Sequence, residues 1–162
     1  MSTVFSHIIQ KRFSQENENV ATDALAYVLQ SSDAARNGMT KLLRGILPNL
    51  PLLRFKTQQM EGAICPDMRG YADSEREPRV FVENKFWAGL TDNQPVAYLE
   101  QLAKYPQPTI LLIVAPAARE GTLWRELTRR LAEADISVTE RDVPAGIACS
   151  VDKEDGDGSI LA

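Results

Sequence analysis

Two carboxylates and an ammonium group stand in an arrangement that can do phosphate chemistry. Asp67 follows Pro66, and after fifteen further residues comes the triplet Glu83-Asn84-Lys85. Hydrolysis of a phosphodiester needs a placed metal, an activated water and stabilisation of the charge growing on the phosphoryl group. Hard Mg²⁺ takes oxygen ligands and keeps several waters, so one or two carboxylates suffice to hold it. Asp67 and Glu83 are the candidate ligands. The ion lowers the pKa of a bound water and neutralises phosphoryl charge. Lys85 is a point charge beside it, suited to orienting the water or stabilising the developing pentavalent phosphorus.

Such groups need a rigid element beneath them. Residues 79–87 are the strongest strand candidate, concentrating β-branched and aromatic side chains. Side chains alternate along a strand, so Glu83 and Lys85 point one way and Val80 and Val82 the other, toward a core. In a sheet covered by helices, burying a carboxylate or ammonium is costly unless it is paired or bound to metal. That cost favours a site over a solvated face. Residues 64–71, carrying the Pro-Asp pair, are a second strand, and the polar stretch 72–78 joins the two as a hairpin. Residues 52–58 alternate in part and make a third strand.

Helices are expected on both sides of this meander. Residues 18–30 carry an apolar stripe of Ala21, Leu25, Val28 and Leu29. A further helix starts at Ser32 or Asp33 and ends near Gly45, before Pro48 and Pro51. Residues 4–12 are weakly helical. Downstream, residues 92–105 read as a helix capped by Thr91 or Asp92, with Pro95 in the first turn, where proline is tolerated. Gln94 and Tyr98, four apart, then share a face. The continuous apolar run 109–115 reads as a fully buried strand. Residues 119–134 form an amphipathic helix with Leu123, Leu127 and Leu131 inward, and residues 136–140 another strand. Asp-Gly pairs in 152–158 suggest a turn between two strands. The order of elements gives an α/β (α+β) sandwich around one sheet.

Pro66-Asp67 with Glu83-Asn84-Lys85 resembles the motif of the PD-(D/E)XK nuclease superfamily, and Gln94-Pro95-Val96-Ala97-Tyr98 is similar to the Gln-x-x-x-Tyr element of its RecB-like branch. The resemblance covers roughly residues 16 to 140. It implies a restriction-endonuclease-like αβββαβ core with a mixed four-stranded sheet flanked by helices. It also implies a Mg²⁺-dependent nuclease, with Mn²⁺ as substitute, acting on DNA rather than RNA in bacterial repair, restriction or phage defence. By that resemblance Asp67 and Glu83 bind the ion, the main-chain carbonyl of Asn84 is a third ligand, and Lys85 stabilises the transition state. Glu18, on the first core helix, would reach the metal or its waters, with Glu16 as the alternative. Both also suit a helix N-terminus through its dipole. Gln94 and Tyr98 would lie beside the site and contact the substrate. Asn84 departs from the apolar residue commonest at its position.

Composition bounds these expectations. The 162 residues suggest one domain, with a helical N-terminal region over residues 1–50, a catalytic core of about 52–140 and a tail that reads as cut short. A homodimer or a further domain beyond residue 162 would complete such a chain. The rival to a free-standing enzyme is a non-catalytic or incomplete module of the same fold that binds nucleic acid or protein. No apolar run approaches the ~20 residues that span a bilayer, and no basic-then-apolar leader opens the chain, so no membrane partner and a cytoplasmic location are expected. Net charge is −4, which counts mildly against a nucleic-acid binder. Cys65 and Cys149 make no disulfide framework, and Cys65 reads as a small buried residue. Arg119, Arg125, Arg129 and Arg130, interspersed with Glu120, Glu126 and Glu133, read as a solvated, salt-bridged face. Lys41, Arg44, Arg54 and Lys56 are candidates to meet phosphates. Phe86 and Trp87, directly after the triplet, either stack on a base or pack beneath the next helix.

Overall fold

Strand β3 (Pro78–Asn84) is buried along its whole length, which only a strand covered on both faces can be. A computed structural model describes residues 17–57, 64–73, 75–143, 146–151 and 160–161, with side chains for 19–57, 64–73 and 75–137. Around β3 lie β1 (Leu53–Thr57), β2 (Met68–Ala72) and β4 (Ile110–Val114). The helices are α1 (Asn17–Ser31), α2 (Asp33–Arg44), α3 (Val96–Leu102) and α4 (Glu120–Glu133). β1, β2 and β3 pair antiparallel, and β4 runs parallel to β3. A parallel neighbour needs a crossover connection, and the segment holding α3 provides it.

This is the expected α+β arrangement of helices about a mixed sheet, but the sheet is longer than four strands. Among the described residues β5 (Val138–Val143), β6 (Gly146–Val151) and β7 (Ile160–Leu161) extend it in the order β1-β2-β3-β4-β7-β6-β5. The strand expected at 136–140 is β5, beginning two residues later. The expected helix at 4–12, the 152–158 turn and Glu16 lie outside the described residues. No described helix is long and apolar enough to cross a membrane.

Two apolar cores sandwich the sheet. Ala26 and Leu29 of α1 and Leu43 of α2 pack on Leu53, Phe55, Met68, Val80, Val82 and Ile110. On the opposite face Leu99 and Leu102 of α3 and Leu127 and Leu131 of α4 pack on Phe81 and Leu111. Each fully buried aliphatic or aromatic side chain of this kind contributes about 1.5–3 kcal/mol of hydrophobic stabilisation. α2 opens on Ser32, whose hydroxyl accepts from the Ala35 amide at 3.2 Å. Gly70 sits where β2 shifts register against β3. A Cβ there would come within 3.0 Å of the Phe55 ring and 3.2 Å of the Leu53 side chain, so a larger residue would require these core side chains to give way.

Two expected boundaries are corrected. The strand at 64–71 begins only at Met68, so Asp67 stands just before β2 rather than within it. The helix at 92–105 is confined to Val96–Leu102, with Pro95 as N-cap and no capping side chain, so neither Thr91 nor Asp92 caps it. Proline pushes its preceding residue out of the α region, which excludes Gln94 at one end. Pro106 does the same to Tyr105 at the other.

Candidate active site

The end of β3 gathers the predicted residues. β2 and β3 pair in the register Met68↔Val82, so continuing by one step sets Asp67 across from Glu83. Asp67 Oδ2 accepts from the Asn84 backbone N–H at 2.7 Å. A side-chain carboxylate thus takes the position a ladder carbonyl would hold, and the two acidic residues are brought together at a strand end. The Asn84 side chain turns to the other face, where its Nδ2 donates to Thr22 Oγ1 of α1 at 2.6 Å.

Glu83 and Lys85 point together toward the α3 face, as alternation requires. Lys85 Nζ donates to Glu83 Oε1 at 2.7 Å, and Gln94 Nε2 donates to the same oxygen at 2.6 Å. Both side chains of the ion pair are less than a tenth exposed. Burying two charges is repaid only when geometry is good and the remaining lone pairs find partners. Here one does not: Glu83 Oε2 is buried and, among the described residues, has no hydrogen-bond partner. A desolvated carboxylate oxygen left in that state is costly unless something outside the chain takes it up.

Gln94 and Tyr98 meet although only Tyr98 is helical. The turn 91–94 leads straight into α3, and Gln94 Nε2 lies 3.2 Å from the Tyr98 hydroxyl. Gln94 Oε1 accepts from the Thr91 amide, which fixes the amide's orientation. The Tyr98 hydroxyl in turn donates to the Cys65 carbonyl at 3.3 Å, and its ring stands edge-on to Phe81. Burial first, then the negative charge of Glu83, holds the Tyr98 phenol well above the ordinary tyrosine range. That shift favours the protonated phenol, which acts here as a hydrogen-bond donor.

Glu18 lies in α1, one turn before Thr22, which places its backbone on the helix face that meets Asn84. Its side chain lies outside the described residues. Cys65, expected to be buried, is exposed. Its neighbours Ile64 and Pro66 are buried, and extended-chain alternation turns the residue between them outward. Trp87 is 64% exposed and is not packed beneath α3. Of the basic residues expected near phosphates, Arg44 donates to the Leu50 carbonyl, Arg54 pairs with Asp73, and Lys56 lies over the Tyr71 ring.

Two site residues escape sequence reasoning. Arg119 donates to the carbonyls of Lys85 at 2.7 Å and Ala88 at 2.9 Å. Arg130 donates to the carbonyls of Thr91 and of Gln94, the latter at 2.8 Å. The expected salt-bridged face forms for Arg129, which pairs with Glu126 and Glu133, and for Arg130, which pairs with Glu126, but Arg119 and Arg130 also hold the segment 85–94. Arg69 is a third unforeseen feature, buried on β2 with its guanidinium 4.9 Å over the Phe81 ring.

The donor set suits a hard divalent cation. Asp67 and Glu83 supply carboxylate oxygens, and the buried Glu83 Oε2 is the atom that most needs a cation. Among the described residues no group of three or more His, Cys, Asp or Glu side chains is poised for a metal, so main-chain oxygen and water would complete the shell. No protein-family model, curated protein or solved structure matches the chain.

Proposed function

We propose that this protein is a metal-dependent nuclease that hydrolyses phosphodiester bonds, with DNA as its substrate and a resemblance to the PD-(D/E)XK superfamily behind that choice. The observation that carries the proposal is the buried Glu83 carboxylate. One of its oxygens is fixed by Lys85 and Gln94, and the other has no partner among the described residues. Asp67 and Glu83 would hold Mg²⁺ or Mn²⁺, with the Asn84 carbonyl as a further ligand. When bound, that ion supplies an acidified water and neutralises charge on the phosphoryl oxygens.

The chain's own residues do the rest. Lys85 presents its ammonium in a site screened from water, where a charge acts more strongly on a phosphoryl oxygen than in bulk solvent. Gln94 fixes the rotamer of Glu83, and the Tyr98 hydroxyl, which accepts from Gln94 Nε2, fixes Gln94. Glu18 is the candidate to contribute from α1.

A cleavage assay tests this directly. Linear duplex, circular and single-stranded DNA and RNA are incubated with Mg²⁺ or Mn²⁺ and with EDTA, beside Lys85→Ala. Cleavage that needs the ion and falls about 10²–10³-fold in the variant is expected, the cost of losing one preorganised electrostatic group. A folded protein that cleaves nothing would sink the enzyme and favour a binding module of the same fold.

A further inference from the structure

Between Lys85 and α3 the chain leaves the sheet, yet it is held. One guanidinium, Arg119, grips the carbonyls of Lys85 and Ala88, and so fixes both ends of the Phe86-Trp87 pair. Within that clamp Phe86 is half-buried and Trp87 is 64% exposed, the two rings 5.7 Å apart and tilted by 44°. Phe86 is the more buried of the two rings, and Trp87 is largely exposed. A large apolar ring held out to water by a fixed loop, two residues from the candidate catalytic lysine, is the arrangement of a contact residue.

We propose that Trp87 is a stacking platform for an unpaired nucleobase, so that the substrate class is single-stranded or locally unpaired nucleic acid. This rests on the nuclease reading. Two residues span at most about 7 Å, so a strand whose phosphate lies at Glu83 and Lys85 has a neighbouring base within reach of the indole. Every base offers a π-face to an aromatic side chain regardless of sequence. Inside a duplex those faces are occupied by adjacent base pairs, and the ring can stack only after a base has been unstacked or flipped. Arg119 is then a positioning residue, acting on the substrate through the loop it holds.

The test reads binding without turnover. Trp87 and Trp124 are the only tryptophans, so Trp124→Phe leaves Trp87 as the sole indole reporter. Its emission is followed while a 12-nucleotide oligothymidylate, and separately a duplex closed at both ends by hairpins, is added in EDTA and again in Ca²⁺. Quenching by the single strand and none by the closed duplex is expected. In the native chain Trp87→Ala should weaken single-strand binding about tenfold, with Trp87→Phe restoring most of it. Equal response to both nucleic acids, or none to either, overturns the platform. So does concentration-dependent self-association that Trp87→Ala abolishes, since the ring would then belong to a protein interface. If Trp124→Phe does not fold, 5-fluorotryptophan in the native chain gives two ¹⁹F resonances, assigned with Trp87→Phe, and the same titration is read on the Trp87 line. Quenching without cleavage in Mg²⁺ would sink the nuclease alone, and cleavage without quenching would sink the platform alone.

Discussion

Strand β3 presents different chemistry to the two sides of the sheet. Toward α1 and α2 it offers Val80, Val82 and then Asn84, whose side-chain N–H finds Thr22. Toward α3 and α4 it offers Phe81 and then the Glu83 and Lys85 charges. Both faces are equally buried. On the first face the polar group is a neutral amide: its Nδ2 is hydrogen-bonded to the neighbouring layer, and its Oδ1 has no partner among the described residues, which costs less for a neutral oxygen than for an ionised one. On the second an ion pair is buried with one carboxylate oxygen unanswered among the described residues. Stability alone gives no reason for that second arrangement. A site that must accept a cation and a phosphate does, because such a site has to keep an unsatisfied oxygen in place.

The comparison is broken most forcefully at the ion pair. Lys85→Met strands the Glu83 carboxylate in the interior, and urea unfolding should show a loss of about 3–5 kcal/mol. Replacing both, Glu83→Leu with Lys85→Met, should recover that loss or exceed the parent, because apolar residues of similar volume are often as stable as a buried pair. A double variant no more stable than Lys85→Met would mean that the pair is retained for folding, and the contrast between the two faces would collapse.

The opposite face should respond the other way round. Leu53→Ala removes a fully buried side chain from the core beneath α1 and α2. It should cost about 2–5 kcal/mol in the same measurement. The metal-dependent rate per folded molecule should stay as in the parent, and a large fall would show that the two faces are not separable. Thr22→Val is the finer probe. It keeps the shape but leaves the Asn84 side-chain N–H without its acceptor, at a cost of about 1–3 kcal/mol. Adding Asn84→Val should return most of this, because the Asp67 contact uses the Asn84 main chain. Failure to return would assign the Asn84 side chain a role beyond packing.

What is legible in the sequence follows the range of the forces involved. β3 is legible because its side-chain alternation is local, and the same holds for Leu123, Leu127 and Leu131, all buried on α4. The candidate site is legible because strand pairing across one short turn brings Asp67 and Glu83 together. Gln94 and Tyr98 do lie side by side, yet not by the expected route, since Pro95 keeps Gln94 out of the helix. Arg119 and Arg130 are not legible because their partners lie more than thirty residues away. Nothing in a helix-face charge pattern shows that Arg130, which meets Glu126 four residues back, also reaches a loop carbonyl. The extension of the sheet by β5, β6 and β7 is only partly legible, since pairing between β4 and β7 joins distant segments.

The smallest expected effect lies at the outer layer of the second face, where Glu126 joins the helix surface to the site loop. Its carboxylate accepts from Arg129 and from Arg130, and Arg130 in turn holds the Gln94 carbonyl. Those hydrogen bonds pull Glu126 from the ordinary 4.5 down to about 2. Between these two values the unfolded chain binds the proton and the folded chain does not, so stability rises with pH across that window. The contribution is fully present above about pH 4.5 and is lost as the pH falls through about 2. Because the group is solvent-accessible, screening keeps the effect small, and added salt should shrink it further. Comparing urea midpoints at pH 6 and pH 3 for the parent and for Glu126→Gln, the parent should lose slightly more on acidification. Identical losses would remove Glu126 from the chain of contacts. Arg130 would then hold the loop by its carbonyl bonds alone, and the charged rim of α4 would have no bearing on the site it borders.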